Sequence, residues 1–334
     1  MSTITEYHPI EVTEAPDDLD GVPAANWAYL TEFKVQVNQR PKVTAPVYAN
    51  GYQQVPVQVI IQAADRNGAI VSLSRNQLWS IKLIDYHSGS YIPNTTHTRD
   101  LRFIYNWEPF REEGLGEGDE ETVEDSPGVN AQEIYLHTAM TTVATRQIAA
   151  EIISPEGVVF RTNTQNPTAG KFDSWVILQG KEPLKYYHYD LIMERHDALS
   201  NANWDVDLYY IRFVDAQLSI VHSTHLDVTA DYPHLHQPYG PYFRFHIAYG
   251  VSGKRKKTYS GFNGEALISF DVNSLPGQAT AARITVKGLK YHDNIRREAC
   301  LCYLNQYGNT ARCAIGNTYA NDYNMLQLEA HIHG

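Results

Sequence analysis

Long apolar runs are missing from this 334-residue sequence: nothing approaches the roughly 18 consecutive apolar residues that a helix needs to cross a bilayer. A membrane span is therefore not expected. Cysteine is scarce as well. Cys300, Cys302 and Cys313 are an odd number crowded near the C-terminus, so they do not form a disulfide framework and read as buried thiols, with a three-thiol metal site as the sharper alternative. Glycine loops of the phosphate-binding spacings and the Gly-x-Ser-x-Gly nucleophile elbow are both absent. Met1–Tyr7 has neither a basic stretch nor an apolar core of the secretory type, so the expectation is a protein made in the cytoplasm, with release by a leaderless route left open.

Negative charge is plentiful but confined. Residues 1–25 hold six acids and no Lys or Arg, and residues 112–125 hold eight, again without a base. These two segments carry more negative charge than the net −11 of the whole chain, so the remainder is close to neutral. The single basic run, Lys254–Lys257, lacks a surrounding basic field and reads as a solvated loop tip, so nucleic acid is not an expected partner. Tyrosine is abundant at 23 copies. Its apolar ring and polar tip suit sheet faces and wet interfaces.

Period-two alternation dominates the pattern. In Val55–Ala63 every odd position is apolar, and the run leads through Asp65-Arg66-Asn67-Gly68 into Ala69–Leu73, the signature of a hairpin. Phe33–Val37 alternates similarly, and Ile81–Tyr86 leads through Ser88-Gly89 to Tyr91-Ile92, a further hairpin candidate. Gln147–Ile153 turns at Ser154-Pro155-Glu156-Gly157 into Val158–Phe160 in the same form, although Met140–Ile153 also permits a helix. Further strands are expected at 171–179, 208–214, 242–248, 266–272, 282–286, 299–304 and 324–332. The pattern predicts an all-β fold: two or three tandem antiparallel β-sandwich modules of immunoglobulin type with few or no helices. The expected divisions are an acidic arm at 1–25, a module at 26–111, an acidic glycine-rich linker at 112–128, a module at 129–225 and a β-rich module at 226–334.

Histidine, with 14 copies, is the plentiful reactive residue. Residues two apart on a strand share a face, so Glu329, His331 and His333 could offer three ligands to one metal ion, and His234 with His236 could offer two. A metal ion is the only cofactor these patterns allow; the plainer readings are an exposed sheet face and an aromatic packing loop. Trp204-Asp205-Val206-Asp207 places two carboxylates beside an indole, a pairing glycosidases use, with solvated loop acids as the plainer alternative. The acidic 112–125 segment lacks the ligand spacing of a calcium loop.

No catalytic constellation stands out, so the expected role is non-enzymatic: a structural or interaction protein that self-associates into a homo-oligomer or polymer through its β modules and the N-terminal arm. The alternative is a lectin-like module in which Trp204 or Tyr319 stacks on a sugar ring while Asp205 or Asp322 binds hydroxyls. A secreted effector or toxin is a further class.

Overall fold

The computed structural model describes residues 26–92, 130–163, 172–223, 231–239, 242–251, 254–260, 267–287, 299–317 and 325–330. These residues are mostly β-strand, and their one α-helix is the single turn Arg75–Trp79, capped by Ser74 and Gln77 bonding each other's backbone. The chain divides after Pro183 into two compact units.

The first unit holds β1 (Tyr29–Gln36), β2 (Thr44–Tyr48), β3 (Gln54–Ala64), β4 (Ile70–Val71), β5 (Lys82–Asp85), β6 (Gln132–Ala139), β7 (Thr145–Ile153), β8 (Val159–Arg161) and β9 (Val176–Lys181). In one sheet β3 lies between β1 on one side and β6 and β4 on the other; in a second the order is β2-β9-β7-β5, with β8 also on β7. Phe33, Val35, Val57, Val59 and Ile61 from the first sheet share one apolar cluster with Val47, Leu83, Ile148, Ala150 and Leu178 from the second. Strands from either side of the 112–128 segment interleave in these sheets, as in the antiparallel pairing of β3 with β6 and of β5 with β7. The expected break into modules at 26–111 and 129–225 therefore gives way to one unit that crosses it. The 1–25 and 112–128 segments themselves lie outside the described residues.

Two hairpin turns explain the recurrent form seen in the sequence. Asp65 accepts hydrogen bonds from the backbone of Asn67 and Ala69, and Gly68 takes φ +89°. Ser154 accepts from Val158 in the same position, with Gly157 at φ +82°. A short polar side chain opens each turn and a residue that tolerates positive φ closes it. The 140–153 stretch that permitted a helix forms β7 from Thr145 onward.

The second unit holds β10 (Lys185–Tyr187), β11 (Leu191–Ser200), β12 (Trp204–Phe213), β13 (Ile220–Ser223), β14 (Asp231–Tyr239), β15 (Tyr242–Tyr249), β16 (Arg255–Ser260), β17 (Leu267–Val272), β18 (Ala279–Lys287), β19 (Ala299–Asn305), β20 (Thr310–Asn317) and β21 (Leu326–Glu329). It begins about 40 residues before the expected boundary at 226, because β11 and β12 belong to the sheet β11-β12-β18-β15-β14. That sheet is apolar on both faces. Tyr209, Ile211, Phe213, Ala279 and Ala281 pack with Leu301, Tyr303 and Cys313 of the sheet β10-β20-β19-β13. Trp204, Val206, Leu208, Ile284 and Val286 pack on the opposite face with Ile268 and Val272 of the β16–β17 hairpin.

Candidate functional site

The face that Tyr209, Ile211 and Phe213 help make apolar turns polar toward one end of the central sheet. Residues two apart on a strand share a face, so Asp205 and Asp207 of β12 lie on it with Arg283 and Thr285 of β18. Asp207 is fully buried and Arg283 is 1% exposed. The Arg283 guanidinium donates through Nε to Asp207 Oδ2 at 2.6 Å and through Nη2 to Asp205 Oδ2 at 2.7 Å, and Nη2 also meets Asp207. Arg195 of β11 supplies the other side, with Nε 3.0 Å and Nη2 3.1 Å from the Asp207 oxygens and Nη2 3.0 Å from Asp197 Oδ1. Charges of alternating sign thus run Asp205, Arg283, Asp207, Arg195, Asp197. Across the strands, Asp197, Asp207, Arg283 and buried His246 occupy successive paired positions on β11, β12, β18 and β15.

Burial pushes the Asp207 carboxyl above its ordinary value, and the charge of Arg283 and the hydrogen bond from Arg195 pull it only part of the way back. Burial acts to lower Arg195, but its hydrogen bond and charge interaction with Asp207 outweigh that and leave it raised. Nearby Tyr209 is raised by burial, and its hydroxyl accepts from the backbone of Leu326 at 3.4 Å. Each charge in the row has an opposite neighbour. The two carboxylates considered as a glycosidase pair are held by guanidiniums, and Asp207 has no surface of its own to offer a substrate.

The other expected sites fare as follows. Trp204 belongs to the apolar cluster against the β16–β17 hairpin, so its ring packs in the core instead of standing free as a stacking platform. Asp205 is 42% exposed and paired with Arg283. Tyr319, Asp322, His331 and His333 lie outside the described residues. Glu329 is half-buried on β21 and accepts from Gln327 Nε2 at 2.7 Å. His234 and His236 lie on β14, whose pairing with β15 shifts register between Pro233 and Leu235. Among the described residues no group of three or more His, Cys, Asp or Glu could hold a metal ion. The three-thiol arrangement fails on register: Cys313 pairs with Leu301 while Cys302 pairs with Arg312, which places the two on opposite faces of the β19–β20 ladder. Arg255–Lys257 of the basic run form the start of β16 instead of a loop tip; Arg255 donates to the Gly250 carbonyl at 2.6 Å, and Lys257 Nζ stands 5.9 Å over the Tyr249 ring.

Two surface features escaped the sequence reading. Tyr187 precedes the 3-10 turn His188–Asp190 and Tyr189 lies within it, with ring centroids 5.5 Å apart and planes at 28°; both are exposed, Tyr189 by 66%. Beyond them β11 runs for ten residues as the outermost strand of its sheet among the described residues, with Glu194–Ser200 all exposed. Its Glu-Arg-His-Asp sequence hides the strand from any test of apolar alternation. No described helix is long and apolar enough to cross a membrane. Comparison with known proteins finds no family model, no curated protein and no solved structure that matches the chain.

Proposed function

We propose that this chain is a non-enzymatic β protein that works by associating with itself, its units being tandem sandwich-like modules of immunoglobulin type. The observation that carries the reading is β11. An outer strand of ten residues, seven of them consecutively exposed, offers a row of backbone N–H and C=O groups to another chain. Natural sheets usually blunt such edges: the hydroxyl of buried Ser174 covers β1, accepting from Val35 N at 2.9 Å and donating to Val35 O at 2.8 Å, while the charges and the register shift of β11 restrict which strand can pair with it. The acidic 1–25 segment supplies the second expected joint. Light scattering of the full chain across a range of concentrations tests the reading. An oligomer that grows with concentration is expected, and deleting residues 1–25 should reduce its mass. A monomer at every concentration overturns the reading.

A lectin-like role is the second reading, and it rests on Tyr187 and Tyr189 instead of Trp204. An exposed, ordered pair of aromatic rings is the surface on which a sugar ring stacks. Glycan-array binding lost in Tyr189→Ala would support it, and an array with no signal would remove it.

A further inference from the structure

The row of alternating charges ends on β11, at the edge of its sheet among the described residues. Asp197, its last member, is 80% exposed, and among the described residues its ion-pair partner is Arg195 on its own strand. β11 pairs with β12 along Leu191–Asp197 without interruption before the register shifts at Ala198, and among the described residues no strand pairs with its other side.

An antiparallel copy of β11 fits this edge in few ways. A two-fold axis normal to the sheet keeps each side chain on its own face, so every permitted register places some residue opposite itself; a one-residue slip would set opposite faces against each other. With the axis at Glu194, carboxylate meets carboxylate. With it at Arg195, guanidinium meets guanidinium, and at Asp197 two more carboxylates coincide. With it at Met193, Arg195 stands opposite Leu191 and gains no counter-charge. The axis at His196 is different: Arg195 falls opposite Asp197 of the second copy, and Asp197 opposite its Arg195. Directly opposed residues of an antiparallel pair lie with Cβ atoms about 4.5–5.5 Å apart, close enough for both ion pairs to form. These pairs lie on the same face as Asp207 and Arg283, so the alternation of sign continues from one copy into the next.

We propose that β11 is a homotypic joint, pairing antiparallel with β11 of a second copy about an axis at His196. The proposal rests on the self-association reading above and assigns that association a place and a register. The irregularity at Ala198 keeps the ladder short, which makes the joint weak and concentration-dependent.

Sedimentation of the full chain over a range of concentrations measures the joint, and single cysteines read its register. Asp197→Arg exchanges two attractive pairs for two repulsive ones and should weaken dimerisation by about tenfold or more. His196→Cys places a thiol opposite its own copy and should give a cross-linked dimer on mild oxidation. Glu194→Cys is the control: two such thiols are offset by four residues, about 13 Å along the strand, beyond the reach of a disulfide. A parent oligomer that Asp197→Arg leaves intact and His196→Cys fails to cross-link overturns the β11 joint while the association reading stands. Cross-linking at Glu194→Cys without any at His196→Cys overturns the register. A chain that is monomeric throughout overturns both.

Discussion

Replacing Arg283 with methionine should expose what the buried charge row contributes. The side chain is 1% exposed and holds Asp207 through Nε at 2.6 Å and Asp205 through Nη2 at 2.7 Å, with a further contact to Thr285 at 3.5 Å. Asp205 reaches solvent and can rehydrate when its partner goes. Asp207 cannot, and its remaining counter-charge among the described residues is Arg195, at 3.0 and 3.1 Å. Breaking a buried pair from one side costs about 3–5 kcal/mol, because the remaining charge stays desolvated and half-compensated. Arg283→Met should therefore destabilise the second unit by about that amount. Removing both charges should cost much less, so Arg283→Met with Asp207→Leu should recover at least about 2 kcal/mol of the loss. Urea unfolding checks this, and Trp204, the one tryptophan between residues 184 and 334, reports on the affected sheet from its buried position beside Asp205. With two compact units the transition of the second has to be fitted by itself. A single variant costing less than about 1 kcal/mol, or a double variant no more stable than the single, would refute the reasoning.

Ser174→Ala should cost the first unit about 1–3 kcal/mol, measured by the shift in its denaturant midpoint, since it strands both backbone groups of buried Val35. His137 and His222 are each half-buried, and desolvation lowers both below the ordinary value of 6.5. For a base with a depressed native value the unfolded chain binds more protons, so the stabilisation is complete above about pH 6.5 and is lost as pH falls through that value toward the native one. Stability should thus decline on acidification through this window, and His137→Gln with His222→Gln should flatten the decline; an unchanged slope counts against these two groups.

What the sequence discloses, and what it hides, follows from which interactions are local. β3 was legible because its odd positions from Val55 to Ala63 are apolar and a turn follows at once. Its even positions carry no such signal, yet Gln58 is buried there, accepting from Gln36 at 2.7 Å and donating to Glu133 at 2.6 Å. Those partners come from strands 22 residues before and 75 after, so period-two logic assigns the glutamine outward. The same limit concealed the charge row. Asp205 and Asp207 were noticed, but they were weighed as loop acids because their counter-charge, Arg283, lies 76 residues beyond Asp207. The signal available was a lone arginine inside the otherwise small and apolar Ala279–Val286 run.

That lone arginine also bears on why so costly a feature is present. β18 reads Ala-Thr-Ala-Ala-Arg-Ile-Thr-Val, and a two-residue slip against β12 would keep every side chain on its own face. Apolar matching between small residues therefore specifies the register weakly. The charges specify it strongly. Slipped one way, Arg283 would stand opposite Asp205 and leave Asp207 beside Ala281; slipped the other, it would meet Tyr209 and leave Asp207 beside Thr285. Either slip abandons a buried carboxylate's main partner, a penalty of several kcal/mol that an all-apolar strand would not impose. The row is thus better understood as fixing alignment across β11, β12 and β18 than as a net source of stability. The row also reaches the sheet's edge, where Arg195 and Asp197, two apart on β11, share the face on which Asp207 is held between two arginines.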